Sequence, residues 1–228
     1  MRALLVHGLS SASGSWWFIR GELEADGWDV TTVDLRGHGD AAHPGTYRLA
    51  DYASDLPHTA WDLAIGHSLG GAVVVLAAQD PAFAERLILL DPVLDVPEDQ
   101  FDAILADQLD ELSLTEERIA QLKPHWNERD RAEKLAGVRA TDAFVVEHTF
   151  TDTGRWDVRT ETTALTVPTL IIAGDPTVYS MLDPEDATAI VTANPLVELH
   201  TVPGTGHSPH RDDPYATIAA IRDWLLHH

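Results

Sequence analysis

The sequence predicts an α/β fold, with a mostly parallel sheet of about six strands flanked by helices. Three observations predict it. Short apolar runs alternate with segments of helical periodicity, which argues for parallel strands covered on both faces. The chain has 228 residues, the size of one ordinary domain or of a domain with an insertion. Its hydrophobic content of 44% supplies a sizeable core.

The elements follow in order. "ALLVHG" (3–8) reads as the first strand, and "GSWWFIRGELEADG" as a helix with Trp16, Ile19 and Leu23 on one face. Strands follow at "WDVTTVD" (28–34) and "WDLAIGH" (61–67), then a helix at "GGAVVVLAAQD", then a strand at "RLILLD" (86–91). From Pro92 to about Thr166 no convincing strand occurs. Phe101, Ile104, Leu105, Leu109 and Leu112 make one amphipathic face there, and Ser113 with Glu116 reads as a capping box. Residues 93–165 are therefore expected as a helical insertion, with 1–92 and 166–228 as the core. Strands resume at "TLIIAGD" (169–175) and "LVELHTV" (196–202), and "DPEDA" between them reads as a helix start. The final helix takes Asp213 as N-cap and Pro214 at its first position.

Composition narrows the function. Thirty-seven acidic against 15 basic side chains give a formal charge of −22, which repels phosphate backbones and anionic lipid surfaces. A nucleic-acid or membrane role is disfavoured. With no cysteine, a disulfide framework, a thiol nucleophile and thiolate metal sites are excluded. The 12 histidines show no metal-ligand spacing, so no metal and no cofactor is expected. The chain opens directly on a strand-like run without a signal-peptide pattern and is expected to be cytoplasmic. Composition leaves the oligomeric state open.

The stretch "AIGHSLGGAVVVLA" (64–77) sets Ser68 at the corner between a strand and a helix, among Gly66, Gly70 and Gly71. A G-x-S-x-G corner exposes a serine on a strained turn at a helix N-terminus, where free N–H groups face developing negative charge. Glycine weakens a helix, and the tight crossing of strand and helix explains why it stands here. "VHGLS" ends the first strand, "VDLRGHGD" follows the second and "VPGTGHSPH" the last.

With these four motifs in this order, the chain resembles the α/β-hydrolase superfamily over nearly its whole length. The resemblance implies Ser68 as nucleophile, His207 as general base, and the N–H groups of Leu9 and Leu69 as oxyanion donors. His210 is the nearest competitor for the base, while His7, His38 and His67 are expected to hydrogen-bond within the scaffold. Starting so close to the His7 strand, the chain is expected to lack the family's usual first two strands. The insertion is expected as a small helical cap, with Trp126, Phe144, Phe150 and Trp156 lining an acyl pocket.

The triad acid is the open position. The family's usual spacing from Gly174 falls on Thr177, which is no acid. Asp175, directly after Gly174, is favoured because most of the family draws its acid from that strand end; Asp91, ending the strand after the nucleophile helix, is the alternative. Asp183 and Asp186 belong to a helix start. The implied activity is a serine hydrolase, cleaving an ester, thioester or lactone of a small to medium organic acid through an acyl-enzyme. The alternative is a receptor or regulatory protein on the same fold, binding a small molecule with little turnover.

Overall fold

A computed structural model describes residues 1–228, and its centre is one sheet of six strands. These are β1 (Arg2–Val6), β2 (Asp29–Val33), β3 (Leu63–His67), β4 (Leu87–Leu90), β5 (Thr169–Ala173) and β6 (Val197–Thr201). They lie in the order β2-β1-β3-β4-β5-β6, and every neighbouring pair is parallel. Leu4 stands opposite Ala64, and Ile65 opposite Ile88.

Successive strand residues point to opposite faces. Leu5, Ile65, Ile88 and Ile172 face one side, under α1 (Trp17–Ala25) and α11 (Pro214–Leu225). Leu4, Ala64, Leu89 and Ile171 face the other, which is covered by α2 (Leu49–Asp55), α3 (Leu69–Ala77) and α9 (Pro184–Ala193). Both faces being covered, the central strands are apolar throughout rather than alternating. Helix α3 shows which effect decides its stability. Gly70, Gly71 and three consecutive valines are poor helix formers, with each glycine costing about 1 kcal/mol relative to alanine. Its buried Leu69, Val73, Val74 and Val75 each contribute about 1.5–3 kcal/mol by burial, so packing outweighs propensity.

Between β4 and β5 run α4 (Phe101–Glu111), α5 (Glu116–Leu122), α6 (Glu128–Arg139), α7 (Ala143–Thr151) and α8 (Arg159–Thr163). Helix α4 packs on α7 and α5 on α6, whereas α8 packs on α3 and α9 in the layer over the sheet. The cap of α5 differs from the expected capping box: Thr115 accepts from the Arg118 N–H, while the Ser113 hydroxyl donates to the Asp110 carbonyl. Asp183 and Asp213 do cap α9 and α11. A short α10 (Pro209–Asp212) precedes α11. No helix is long and apolar enough to cross a membrane.

Candidate active site

All six strands run the same way, so their C-terminal ends share one edge of the sheet. The chain goes from β1 outward to β2 and returns to β3 on the other side of β1. The crevice between the ends of β1 and β3 is thus the topological switch point, where open α/β sheets bind ligands. Leu9 follows β1, Ser68 follows β3, Asp91 follows β4 and His207 follows β6.

Ser68 sits at φ 55° and ψ −121°, in the left-handed region, a conformation that costs a serine about 1–3 kcal/mol. Its glycines permit the turn. A Cβ on Gly66 would collide with the Gly70 carbonyl, and one on Gly70 with the Val6 carbonyl. Helix α3 therefore starts against β1 and β3, with its first N–H, from Leu69, beside Ser68. Neither the Leu69 N–H nor the Leu9 N–H donates to a protein group, and both residues line the cavity holding Ser68. Two free donors at such a place are suited to a developing oxyanion.

The His207 ring joins Ser68 to Asp91. Nδ1 lies 2.6 Å from Asp91 Oδ2 and Nε2 lies 2.9 Å from Ser68 Oγ. A carboxylate only accepts, so Nδ1 carries the proton and Nε2 accepts from the hydroxyl. This tautomer can take the serine proton as the oxygen attacks. The His207 backbone is held too, its carbonyl accepting from His67 Nε2 at 2.8 Å.

Asp91 is fully buried, and four donors hold it. Oδ1 accepts from the Gly174 N–H at 2.9 Å and the Ser180 hydroxyl at 2.6 Å; Oδ2 accepts from the Met181 N–H at 2.9 Å and from His207. The carboxylate that this geometry brings to His207 is that of Asp91, the alternative, and not that of Asp175, the one favoured from the sequence. Asp175 is partly exposed, and its carboxylate closes its own turn: Oδ1 accepts from the Thr177 N–H and hydroxyl, and Oδ2 from the Gly204 N–H. The Thr177 hydroxyl, with the Gly204 and Thr177 N–H groups, holds its carboxyl below the usual carboxylate range. Nothing joins it to His207.

His7 and His38 hydrogen-bond to backbone groups of the scaffold. His7 Nε2 accepts from the Leu35 N–H and Nδ1 donates to the Gly8 carbonyl; His38 Nδ1 donates to the Arg36 carbonyl. Burial pushes His7 down to about 4 and His38 down to about 3, so both are neutral at neutral pH. His210 is buried between Trp16 and His67, away from the serine hydroxyl that His207 accepts. Asp34 accepts from the Ser13 and Asp40 N–H groups, and Arg36 makes a forked pair with Asp55.

The cavity over Ser68 has a volume of about 410 Å³. Trp126, Phe150 and Trp156, three of the four residues expected at an acyl pocket, line this cavity. Phe144 does not: it is 48% exposed on α7 and packs on Tyr47 and His148. Lying on the far side of α7 from the buried Val145, Val146 and Phe150, it faces away from the cavity. Tyr179, Met181, Lys134 and Arg211 also line the cavity. Local periodicity carries no signal for Lys134 and Arg211, since charged residues in helices are ordinarily solvated, nor for Tyr179 and Met181, which lie outside regular elements.

A sheet edge that gathers a strained serine, an imidazole, a buried carboxylate and two free N–H groups defines a class of proteins, the α/β hydrolases. The chain matches the model of the alpha/beta hydrolase family over residues 3–221 and belongs to that family. It is similar to the sn-1-specific diacylglycerol lipase ABHD11 of Mus musculus, 26% identical over 97% of this chain and 80% of that protein. It is also similar to esterase YbfF of Escherichia coli (strain K12), 27% identical over 97% of this chain and 92% of that one. Among solved structures, E-2-(acetamidomethylene)succinate hydrolase superimposes with a TM-score of 0.83 at 23% identity, covering 98% of this chain and 90% of that one. That last likeness concerns the fold.

Proposed function

We propose that the protein is a serine hydrolase that cleaves an ester, thioester or lactone of a small to medium organic acid. The hydrogen-bonded series Asp91–His207–Ser68 carries this reading. Ser68 Oγ attacks the carbonyl carbon while its proton passes to His207 Nε2, and the oxyanion accepts from the Leu9 and Leu69 N–H groups. Collapse breaks the bond to the leaving group, which takes the proton from Nε2. Water then attacks the acyl-serine with the same imidazole as base, releasing the acid and restoring Ser68. Asp91 keeps the proton on Nδ1 and stabilises the imidazolium. Helices α4 to α7 act as a cap, with Trp126, Phe150 and Trp156 shaping the acyl pocket.

The test is chemical labelling. A fluorophosphonate should modify one serine, and Ser68→Ala should abolish labelling and lower kcat on an activated ester by about 10⁶. Labelling that persists in the variant contradicts the assignment. Labelling without turnover of any ester, thioester or lactone would point to the receptor reading instead.

A further inference from the structure

The cavity over Ser68 has a cationic wall that acyl transfer does not use. Of the 15 lysines and arginines in this acidic chain, only Lys134 and Arg211 are buried, at 9% and 4% exposure. Both line this cavity. A guanidinium has five N–H donors. At Arg211 the protein uses one, from Nη2 to Ser11 Oγ at 3.1 Å, and the Nε–H is buried without a partner. The group lies 5.1 Å over the Trp126 ring and forms no ion pair within 4.0 Å.

The carboxylates of Asp130, Asp212 and Glu133 act on it through space, as does the Lys134 ammonium, and each carboxylate has hydrogen-bond or ion-pair partners of its own. Asp130 accepts from Trp17 Nε1, Asp212 from Trp126 Nε1 and the Gly206 N–H, and Glu133 pairs with Arg129. They soften the burial of the charge without occupying its fork. Lys134 Nζ donates to the Ser10 carbonyl at 3.2 Å and contacts the Glu111 carboxylate of α4. Burial and Arg211 push its ammonium down to about 7, which the Glu111 contact opposes. Ser10 and Ser11 directly follow Leu9, so the loop offering the oxyanion donor also anchors the two cations. Lys123, paired with Asp212, is the remaining lysine or arginine of the lining, and its acids Asp107, Asp110 and Glu111 all belong to α4, so the cavity's negative side chains lie on α4 and its unpaired cation, Arg211, on α10.

We propose that this wall binds a free carboxylate of the substrate, making the preferred substrate a half-ester of a dicarboxylic acid. The proposal rests on Ser68 being the nucleophile. A planar fork with unused donors matches a carboxylate, which accepts two parallel N–H bonds. A dianion such as phosphate meets more repulsion from Asp107 and Asp110, so a single carboxylate fits better.

Two measurements test it. The first compares kcat/KM for p-nitrophenyl hydrogen glutarate and p-nitrophenyl pentanoate, equal in acyl length and differing in the terminal charge. The half-ester should be favoured by at least about 10-fold, and that ratio should fall about 30-fold in Arg211→Met and less in Lys134→Met. An unchanged ratio in folded variants overturns the proposal; should Arg211→Met fail to fold, Arg211→Lys and Lys134→Met decide it. The second titrates glutarate into Ser68→Ala by calorimetry, where saturable binding should weaken about 30-fold on adding Arg211→Met. Glutarate binding without turnover of either ester supports the wall and sinks Ser68 as nucleophile. Turnover of the pentanoate without glutarate binding or half-ester preference sinks the wall and leaves the nucleophile standing. Inorganic phosphate binding as tightly as glutarate overturns the carboxylate assignment.

Discussion

The C-terminal ends of β4 and β5 carry the same dipeptide, Asp91-Pro92 and Asp175-Pro176, and the fold uses the two in opposite ways. At the end of β4, Asp91 stands at φ 37° and turns its carboxylate inward, where four donors meet it. At the end of β5, Asp175 turns toward solvent and ties its own loop to Gly204. Three of the groups that meet Asp91, from Gly174, Ser180 and Met181, come from the segment that begins at the end of β5. The β5 end therefore supplies the donors and the β4 end the carboxylate they hold. An aspartate's role is set by which neighbouring loop crosses it, and its own sequence context says little.

Removing each carboxylate tests this contrast most strongly. Asp91→Ala leaves buried N–H and O–H groups of Gly174, Met181 and Ser180 unpaired, and should lower unfolding free energy by about 3–5 kcal/mol in a denaturant titration. Asp175→Ala, whose partners can turn to water, should shift the midpoint far less. Equal shifts would mean that the two turns share the load.

The insertion repeats the contrast in apolar form. Phe150 is 3% exposed among Phe101 and Trp156, and Phe150→Ala should cost about 3 kcal/mol and alter selectivity among acyl lengths. Phe144→Ala, at the surface, should leave selectivity as it is and cost under about 1 kcal/mol. If Phe144 changes selectivity and Phe150 does not, the cavity wall has been misassigned.

Acid pH probes buried against exposed polar groups at smaller scale. His7 and His38 have folded pKa values depressed to about 4 and about 3, below an unfolded value of about 6.5. Their contribution is complete above pH 6.5 and is lost as pH falls through 6.5, because the unfolded chain then binds protons that the folded one refuses. Each costs about 1.4 kcal/mol per pH unit, so by pH 5 each has removed about 2 kcal/mol. Thermal melts between pH 7 and 5 should show Tm falling, and His38→Gln, if folded, should flatten the slope. A Tm independent of pH over that range would contradict the buried neutral state.

Where a residue's environment is set by its near neighbours, the sequence was a sufficient guide. All six strands stand at the runs that predict them; the inner β1, β3, β4 and β5 are apolar runs because both their faces are covered, whereas the edge strands β2 and β6 are partly exposed, and Asp183 and Asp213 cap the helices that follow them. Ser68 and His207, which the fold brings within hydrogen-bond distance, each sit in glycine-bearing turns whose backbone needs are local and so show in the sequence. The α5 cap was missed by two positions, since Ser113 and Thr115 both carry a hydroxyl and only the path of the chain selects between them. The carboxylate that reaches His207 is Asp91 rather than the favoured Asp175, because Asp91 meets its partners across the sheet, at Gly174, Ser180 and His207. Lys134 and Arg211 were invisible for a related reason: no periodicity marks a charge that tertiary packing has buried.

The central claim is that Asp91, and not Asp175, orients the imidazole that activates Ser68. Its most direct measurement is kcat on one activated ester for Asp91→Asn beside Asp175→Asn, each first shown to be folded by its melting transition. The asparagine at 91 keeps the shape and loses the acceptor that holds the Nδ1 proton, so kcat should fall by about 10⁴, while Asp175→Asn should stay within about 3-fold of the parent. A near-parental Asp91→Asn beside a disabled Asp175→Asn would contradict the account.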